Sequence, residues 1–239
     1  MGRAWPVLAM LLLAPVGRAA AQGDGGILYA YRPHAGARAE FDAGYRAHLA
    51  WHREKADSLP WYGWDVIAGR RMGEFIDGTF GIGFAALDRR VDPAGDAAHA
   101  ASSFAPHATA TARWLVRLRR ELSTATSLED RSPSALLQVV TYHVSPGQRA
   151  AFEDVLNVVR RSAGLAPYAV YECVVGTSDV AYMVAVERSG FGSFDAADRD
   201  PTHAIDGALA GSAVPVVQAE SELWRLRRDL TLLPERAGR

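Results

Sequence analysis

Residues 31–41 read YRPHAGARAEF, and residues 142–152 read YHVSPGQRAAF. Laid over one another without a gap, Tyr31, Gly36, Arg38, Ala39 and Phe41 fall on Tyr142, Gly147, Arg149, Ala150 and Phe152, at an offset of 111 residues. Two more matches follow in the same order. PWYGWDVIAG from Pro60 meets PYAVYECVVG from Pro167 at an offset of 107, and LVRLRREL from Leu115 meets LWRLRRDL from Leu223 at 108. Three blocks in register indicate an internal duplication. The loss of four residues between the first two blocks places a longer helix or turn in the first copy. The copies are expected at 27–122 and 136–233, followed by a tail at 234–239. The segment STATSLEDRSPSA at 123–135 is polar and broken by proline, as a linker should be.

Each copy carries the same pattern. An apolar run, ILYAYR or LLQVVTYHV, has the character of a buried strand. A glycine turn and a helical stretch with apolar residues at 3.6 spacing come next. Two strand-like runs follow: WYGWDVIAG and EFIDGTFGIGF in the first copy, YAVYECVVG and DVAYMVAVE in the second. A weaker helix then opens on Asp-Pro, a favourable helix start, and a last strand alternates leucine with arginine. The expected fold class is α+β: two ferredoxin-like βαββαβ repeats.

The strand followed by SPGQRAAF at 145–152, with Phe152 inside the helix, resembles the opening of the dimeric α/β-barrel superfamily. That group includes antibiotic-biosynthesis-type monooxygenases, stress-responsive barrel proteins and NIPSNAP-like proteins. HAGARAEF at 34–41 departs from the pattern by carrying Ala35 in place of proline. The long first helix leading to PWYGW is most similar to NIPSNAP-type bacterial proteins. The resemblance implies two four-stranded antiparallel sheets packed as one barrel with helices outside. Two copies in one chain then form an intrachain dimeric α/β barrel, and the protein is expected as a monomer or a homodimer. The superfamily spans cofactor-free oxygenases, haem enzymes and non-catalytic proteins, so fold leaves function open.

The first 21 residues, MGRAWPVLAMLLLAPVGRAAA, have a charged start, a short apolar middle and small residues at the end, the layout of a secretory signal peptide. The apolar run is too short for a spanning helix of roughly 20 residues. Cleavage near Ala21 would place the protein in the periplasm or the medium. The whole chain has a formal charge of −1, which becomes −3 when Arg3 and Arg18 leave. That balance offers no electrostatic case for nucleic acid or for a membrane partner after cleavage. Lys55 is the only lysine and Cys173 the only cysteine, so no intramolecular disulfide is available.

The first copy holds the candidate site. On a helical wheel with Phe41 at zero, Tyr45 lies at about 40°, His48 at about −20° and His52 at about 20°. Both histidines therefore sit on the apolar face, opposite Ala50, Arg46 and Arg53. The ungapped register puts Val159 and Ala163 at those positions in the second copy. Buried polar groups need partners. Asp77 lies in an apolar strand with Phe75 and Thr79 on its face, where the second copy most simply places Tyr182.

Three readings of His48, His52 and Asp77 stay open. They are a structural cluster, an acid–base group with a histidine as catalytic base, or a metal or haem site using the same three residues. Tyr45, Trp61 and Trp64 are candidate ligand-binding residues. Strand alternation sends Trp61 to one face and Tyr62 with Trp64 to the other. Aromatic walls with a few convergent polar groups suit a small apolar or aromatic molecule. The expected function is small-molecule binding, with proton-transfer or oxygenase-type chemistry and no cofactor. The alternatives are a non-catalytic stress-response or binding module, and a haem or divalent-metal protein.

Elsewhere the signals are structural. Arg117, Arg119, Arg225 and Arg227 alternate with apolar residues, the pattern of a solvated or ion-paired strand face rather than an anion site, and Asp65 and Glu172 at matched strand positions are candidate partners. Cys173 reads as a buried, inert thiol. His34, His99, His107, His143 and His203 fall at turns or element ends and read as surface residues. No dinucleotide fingerprint, P-loop or serine elbow occurs.

Overall fold

The computed structural model describes residues 22–212 and 214–234. The expected signal peptide at 1–21 and the expected tail after Pro234 lie outside the described residues. The first half contains β1 (Gln22–Pro33), α1 (Arg38–Glu54), β2 (Tyr62–Ala68), β3 (Phe75–Ile82), α2 (Pro93–Ser103) and β4 (Ala108–Leu118). The second contains β5 (Leu136–Val144), α3 (Arg149–Arg160), β6 (Tyr168–Val175), β7 (Val180–Arg188), α4 (Pro201–Ala210) and β8 (Val216–Leu226).

The eight strands close into an antiparallel barrel in the order β1-β3-β2-β8-β5-β7-β6-β4. The halves meet at two seams, β2 with β8 and β4 with β6. Closure leaves no open sheet edge to be managed. The period-2 alternation sends Tyr62, Trp64 and Val66 into the barrel, where they pack with Leu28, Ile76, Val139, Met183 and Trp224.

The outer strand faces carry two further cores. Phe41, Tyr45 and Leu49 of α1 pack on Trp61, Phe75 and Phe104, and Phe152, Leu156 and Val159 of α3 pack on Tyr142, Val170 and Tyr182. Phe41 and Phe152, the matched residues of the opening stretch, are fully buried; each contributes roughly 1.5–3 kcal/mol by leaving water.

The chain ends cross between halves. Leu230 and Leu232, past β8, pack into the α1 core, while Leu122, past β4, packs into the α3 core. The arginine rows do the same. Arg227 reaches Asp42 at 2.8 Å and Asp65 at 3.1 Å, and Arg38 binds the same two carboxylates. On the other seam Arg119 reaches Glu153 and Glu172, and Arg149 binds Glu172. Arg119 and Arg227 are thus ion-paired, with Asp65 and Glu172 among the partners, and Arg117 stands 3.9 Å from Glu172.

The segment at 123–135 is more than a linker. Leu128 is buried among the barrel residues, Tyr62 donates to its carbonyl oxygen, and Tyr171 donates to Glu129 at 3.0 Å. It stoppers one end of the barrel. At the other end Arg71 lies over the rings of Trp114 and Trp224 and is held by Glu222 at 2.6 Å.

Two register expectations are corrected. α1 spans 17 residues and α3 only 12, so Ala163 lies past the end of α3 and is exposed; His52 has no helical counterpart. β1 pairs Tyr31 with Phe75 and Tyr29 with Asp77, while β5 pairs Tyr142 with Tyr182 and Val140 with Val184. Asp77 therefore answers to Val184, and Tyr182 answers to Phe75.

Candidate functional site

The extra turn of α1 carries Trp51 and His52, and the chain folds back sharply after it. Ala56 takes a left-handed conformation at φ 53°, and the Asp57 N–H bonds to the His52 carbonyl at 3.0 Å. The Asp57 side chain is thereby laid beside His52, with Oδ2 2.8 Å from Nδ1, an approach poorly aligned for an ideal hydrogen bond. Trp61 Nε1 donates to Asp57 Oδ2 at 2.9 Å, and the Leu59 N–H donates to Oδ1 at 3.1 Å. Burial alone would raise this carboxyl, but His52 and these donors outweigh it and hold it below its usual range.

α2 closes over α1. Its Asp92 side chain caps the Gly95 N–H, with Pro93 in the first turn. Gly44 lets the helices touch: a Cβ there would stand 2.4 Å from the Ser103 carbonyl oxygen. The contact brings Asp96 and His99, one turn apart on α2, against the histidines of α1.

His48 Nε2 lies 3.2 Å from His52 Nε2 and 3.1 Å from Asp96 Oδ1, and His52 Nε2 lies 3.5 Å from the same oxygen. His48 Nδ1 meets His99 Nδ1 at 3.1 Å, and Arg90 stands 3.5 Å from Asp96 Oδ2. Burial lowers the His48 pKa, with the Asp96 carboxylate working against that fall.

Asp77 stands apart from this cluster. Its Oδ2 accepts from the Tyr45 hydroxyl at 2.9 Å, whereas its Oδ1 is buried without a partner. Burial pushes its carboxyl up to about 7, opposed by the Tyr45 hydrogen bond. A cavity of about 110 Å³ joins the two groups, lined by Tyr29, Tyr31, Trp61 and Phe104 along with Tyr45, His48, His52, Asp77, Arg90 and Asp96.

The structure thus brings together His48, His52, Asp77, Tyr45 and Trp61. Trp64 is a correction: it points into the barrel, stacked on Tyr62 with ring centroids 5.4 Å apart and packed on Trp224. Asp77 as the third metal ligand is a second correction, since its bond goes to Tyr45 and the carboxylate at the histidines is Asp96. His99 is a third: it is half-buried against His48 and Trp51. The cavity at His48 and His52 is too small for haem, falling well below the roughly 300 Å³ at which pockets for drug-sized ligands begin.

Sequence pattern missed Asp57, Asp96 and His99. The last two sit three residues apart on one helix face, a spacing that marks neighbours. The second half shows by contrast how unusual the cluster is. Val159, Val184 and Ala204 stand where the first half has His48, Asp77 and Asp96, and the first two are buried in a core of aliphatic and aromatic side chains. Cys173 is buried inside the barrel with its thiol pushed up to about 12, consistent with an inert role.

No protein family matches the sequence, and no curated protein matches it. Solved structures do. An anthrone oxidase-like protein superposes with a TM-score of 0.54 at 14% identity, over 89% of this chain and 94% of that chain. A heme-binding protein from Thermus thermophilus gives 0.52 at 10% identity, over 87% and 93%. A mutant chlorite dismutase from Candidatus Nitrospira defluvii gives 0.54 at 10% identity, over 87% and 93%. The fold is that of the dimeric α/β barrel. At these identities the likeness concerns architecture alone.

Proposed function

We propose that the protein binds a small molecule in the cavity between α1, α2 and the outer face of β1 and β3, and moves a proton to or from it. Asp77 carries this reading. A buried carboxyl held near neutrality, with one oxygen unpartnered at a cavity wall, can take or give a proton at physiological pH. Tyr45 fixes its orientation through the 2.9 Å bond. The aromatic walls favour an apolar or aromatic body, and the volume restricts it to about the size of one small ring. The oxygenase-type names among similar folds agree with such chemistry but do not specify it.

A fragment screen by proton NMR, using phenols and small cyclic ketones, tests the reading. Fragments should broaden in the presence of the protein, and Asp77→Asn should weaken them at least tenfold. Binding that ignores both Asp77→Asn and Trp61→Ala contradicts it.

The same reading takes the two halves as copies of one ancestral unit, with a NIPSNAP-like first helix. The matched ion-pair quartets at the two seams support this. The chain is exported in this account, on the strength of its leader-like first 21 residues. Mass spectrometry of protein secreted from a bacterial host should find the new N-terminus near Gln22.

A further inference from the structure

We infer that His48, His52 and Asp96 bind one divalent transition-metal ion, with Asp57 as the carboxylate that orients His52. The inference shares a cavity with the ligand site proposed above but does not depend on it, and its test uses metal alone.

The Asp57 carboxylate beside His52 Nδ1 assigns a proton to that nitrogen and leaves the lone pair on Nε2. His48 Nδ1 faces His99 Nδ1 at 3.1 Å; with His48 as the donor, the His48 Nε2 also presents a lone pair. Two Nε2 lone pairs and a carboxylate oxygen then converge within 3.1, 3.2 and 3.5 Å of one another. Three acceptors at this distance repel unless something positive lies among them. A proton on either Nε2 bonds one neighbour and leaves the remaining contact unsatisfied. A cation at the centre satisfies all three.

The dimensions agree. Donors about 2.0–2.1 Å from a tetrahedral ion stand about 3.3 Å apart, and the three observed edges bracket that value. All three donor atoms belong to one mutually close set. His48 and His52 are one helical turn apart on the rigid α1, and Asp96 comes from α2, so the site is held by the helix pair that Gly44 brings together.

The surroundings have the arrangement that metal-ligating imidazoles require. A ligating histidine characteristically donates its other N–H to a carboxylate. Asp57 is placed for this role, with Oδ2 2.8 Å from His52 Nδ1, and is itself held by Trp61 Nε1 and the Leu59 N–H. The fourth position opens on the cavity lined by Tyr45, Trp61 and Phe104. Two imidazoles and one carboxylate with an open position suit a borderline ion such as zinc, cobalt or iron rather than calcium or magnesium.

The test is titration of chelator-treated protein with Zn²⁺ and Co²⁺. Calorimetry should show one ion per chain. Co²⁺ should give the intense visible absorption of a four- or five-coordinate nitrogen and oxygen site rather than the faint band of the hydrated ion. His48→Ala, His52→Ala and Asp96→Ala should each abolish this binding, Asp57→Asn should weaken it about 10- to 100-fold, and His143→Ala should leave it unchanged. Should a ligand variant fail to fold by near-ultraviolet circular dichroism, the Co²⁺ spectrum of the unaltered protein decides alone. A faint hydrated-ion spectrum, or one-to-one binding that survives His48→Ala and His52→Ala in folded protein, overturns the inference.

Discussion

His52 Nδ1 stands 2.8 Å from Asp57 Oδ2, and both side chains are about 95% buried. A short link and one left-handed alanine create the pair. Removing the carboxylate orphans the Trp61 Nε1–H and the Leu59 N–H together and takes the neighbouring charge from His52. Asp57→Ala should therefore cost about 2–4 kcal/mol at pH 7 by chemical denaturation, since each buried donor left unpaired costs about 1–3 kcal/mol. Asp57→Asn keeps an acceptor and should cost less than half as much. An Asp57→Ala protein as stable as the parent would remove the pair from any structural role.

Ala56 is strained at φ 53°. A non-glycine residue in the left-handed region costs about 1–2 kcal/mol. Ala56→Gly should raise stability by up to about 1 kcal/mol once the greater freedom of the unfolded chain is set against it. A loss of stability on thermal unfolding would show that the αL turn is not the strained element.

Asp77 sets a pH dependence of opposite sign to that of an ordinary ion-paired carboxylate. Its folded value is raised from 3.8 to about 7, so between those values the unfolded chain is ionised while the native one holds the proton. The native state binds more protons there, and stability falls as pH rises from about 4 to about 7, then levels off. At roughly 1.4 kcal/mol per unit the fall amounts to a few kcal/mol. Asp77→Asn should abolish it. Denaturation midpoints taken across that range, in parent and variant, check this; parallel curves contradict it.

Much of this was legible in the sequence because repeats and alternation report backbone geometry. The matched Phe41 and Phe152, the alternation at Trp61 and Trp64, and the paired arginines all follow from local period. The drop in offset called for a longer helix or turn in the first half, and the structure spends it on the helix. The cluster at His48 was legible in half only. The wheel put His48 and His52 on the buried face, but their partners come from the turn after α1 and from α2. Asp57 depends on a left-handed alanine, and Asp96 on a glycine contact 52 residues earlier in the chain, at Gly44. Neither leaves a periodic trace. The Asp77 correspondence failed because strand register, not sequence spacing, decides which residues are opposite.

Closure of the barrel within one chain predicts a compact monomer. Both seams and the crossed leucines are internal, so neither half keeps its helix core without the other. Light scattering should give the mass of one chain. A cooperative unfolding midpoint independent of protein concentration should accompany it. An obligate dimer that unfolds on dilution would show that the halves pair between chains instead.

The central claim is that the first half keeps its buried polar cluster for function, at a cost in stability. The second half supplies the control residues. The variant Tyr45→Leu, His48→Val, Asp77→Val and Asp96→Ala installs what Leu156, Val159, Val184 and Ala204 already provide on the same scaffold. Replacing buried polar networks with packed apolar groups is often neutral or stabilising. The variant should denature at or above the parent midpoint at pH 7 while losing fragment and metal binding. A variant that loses several kcal/mol of stability, or that binds as well as the parent, would show that the cluster is scaffold.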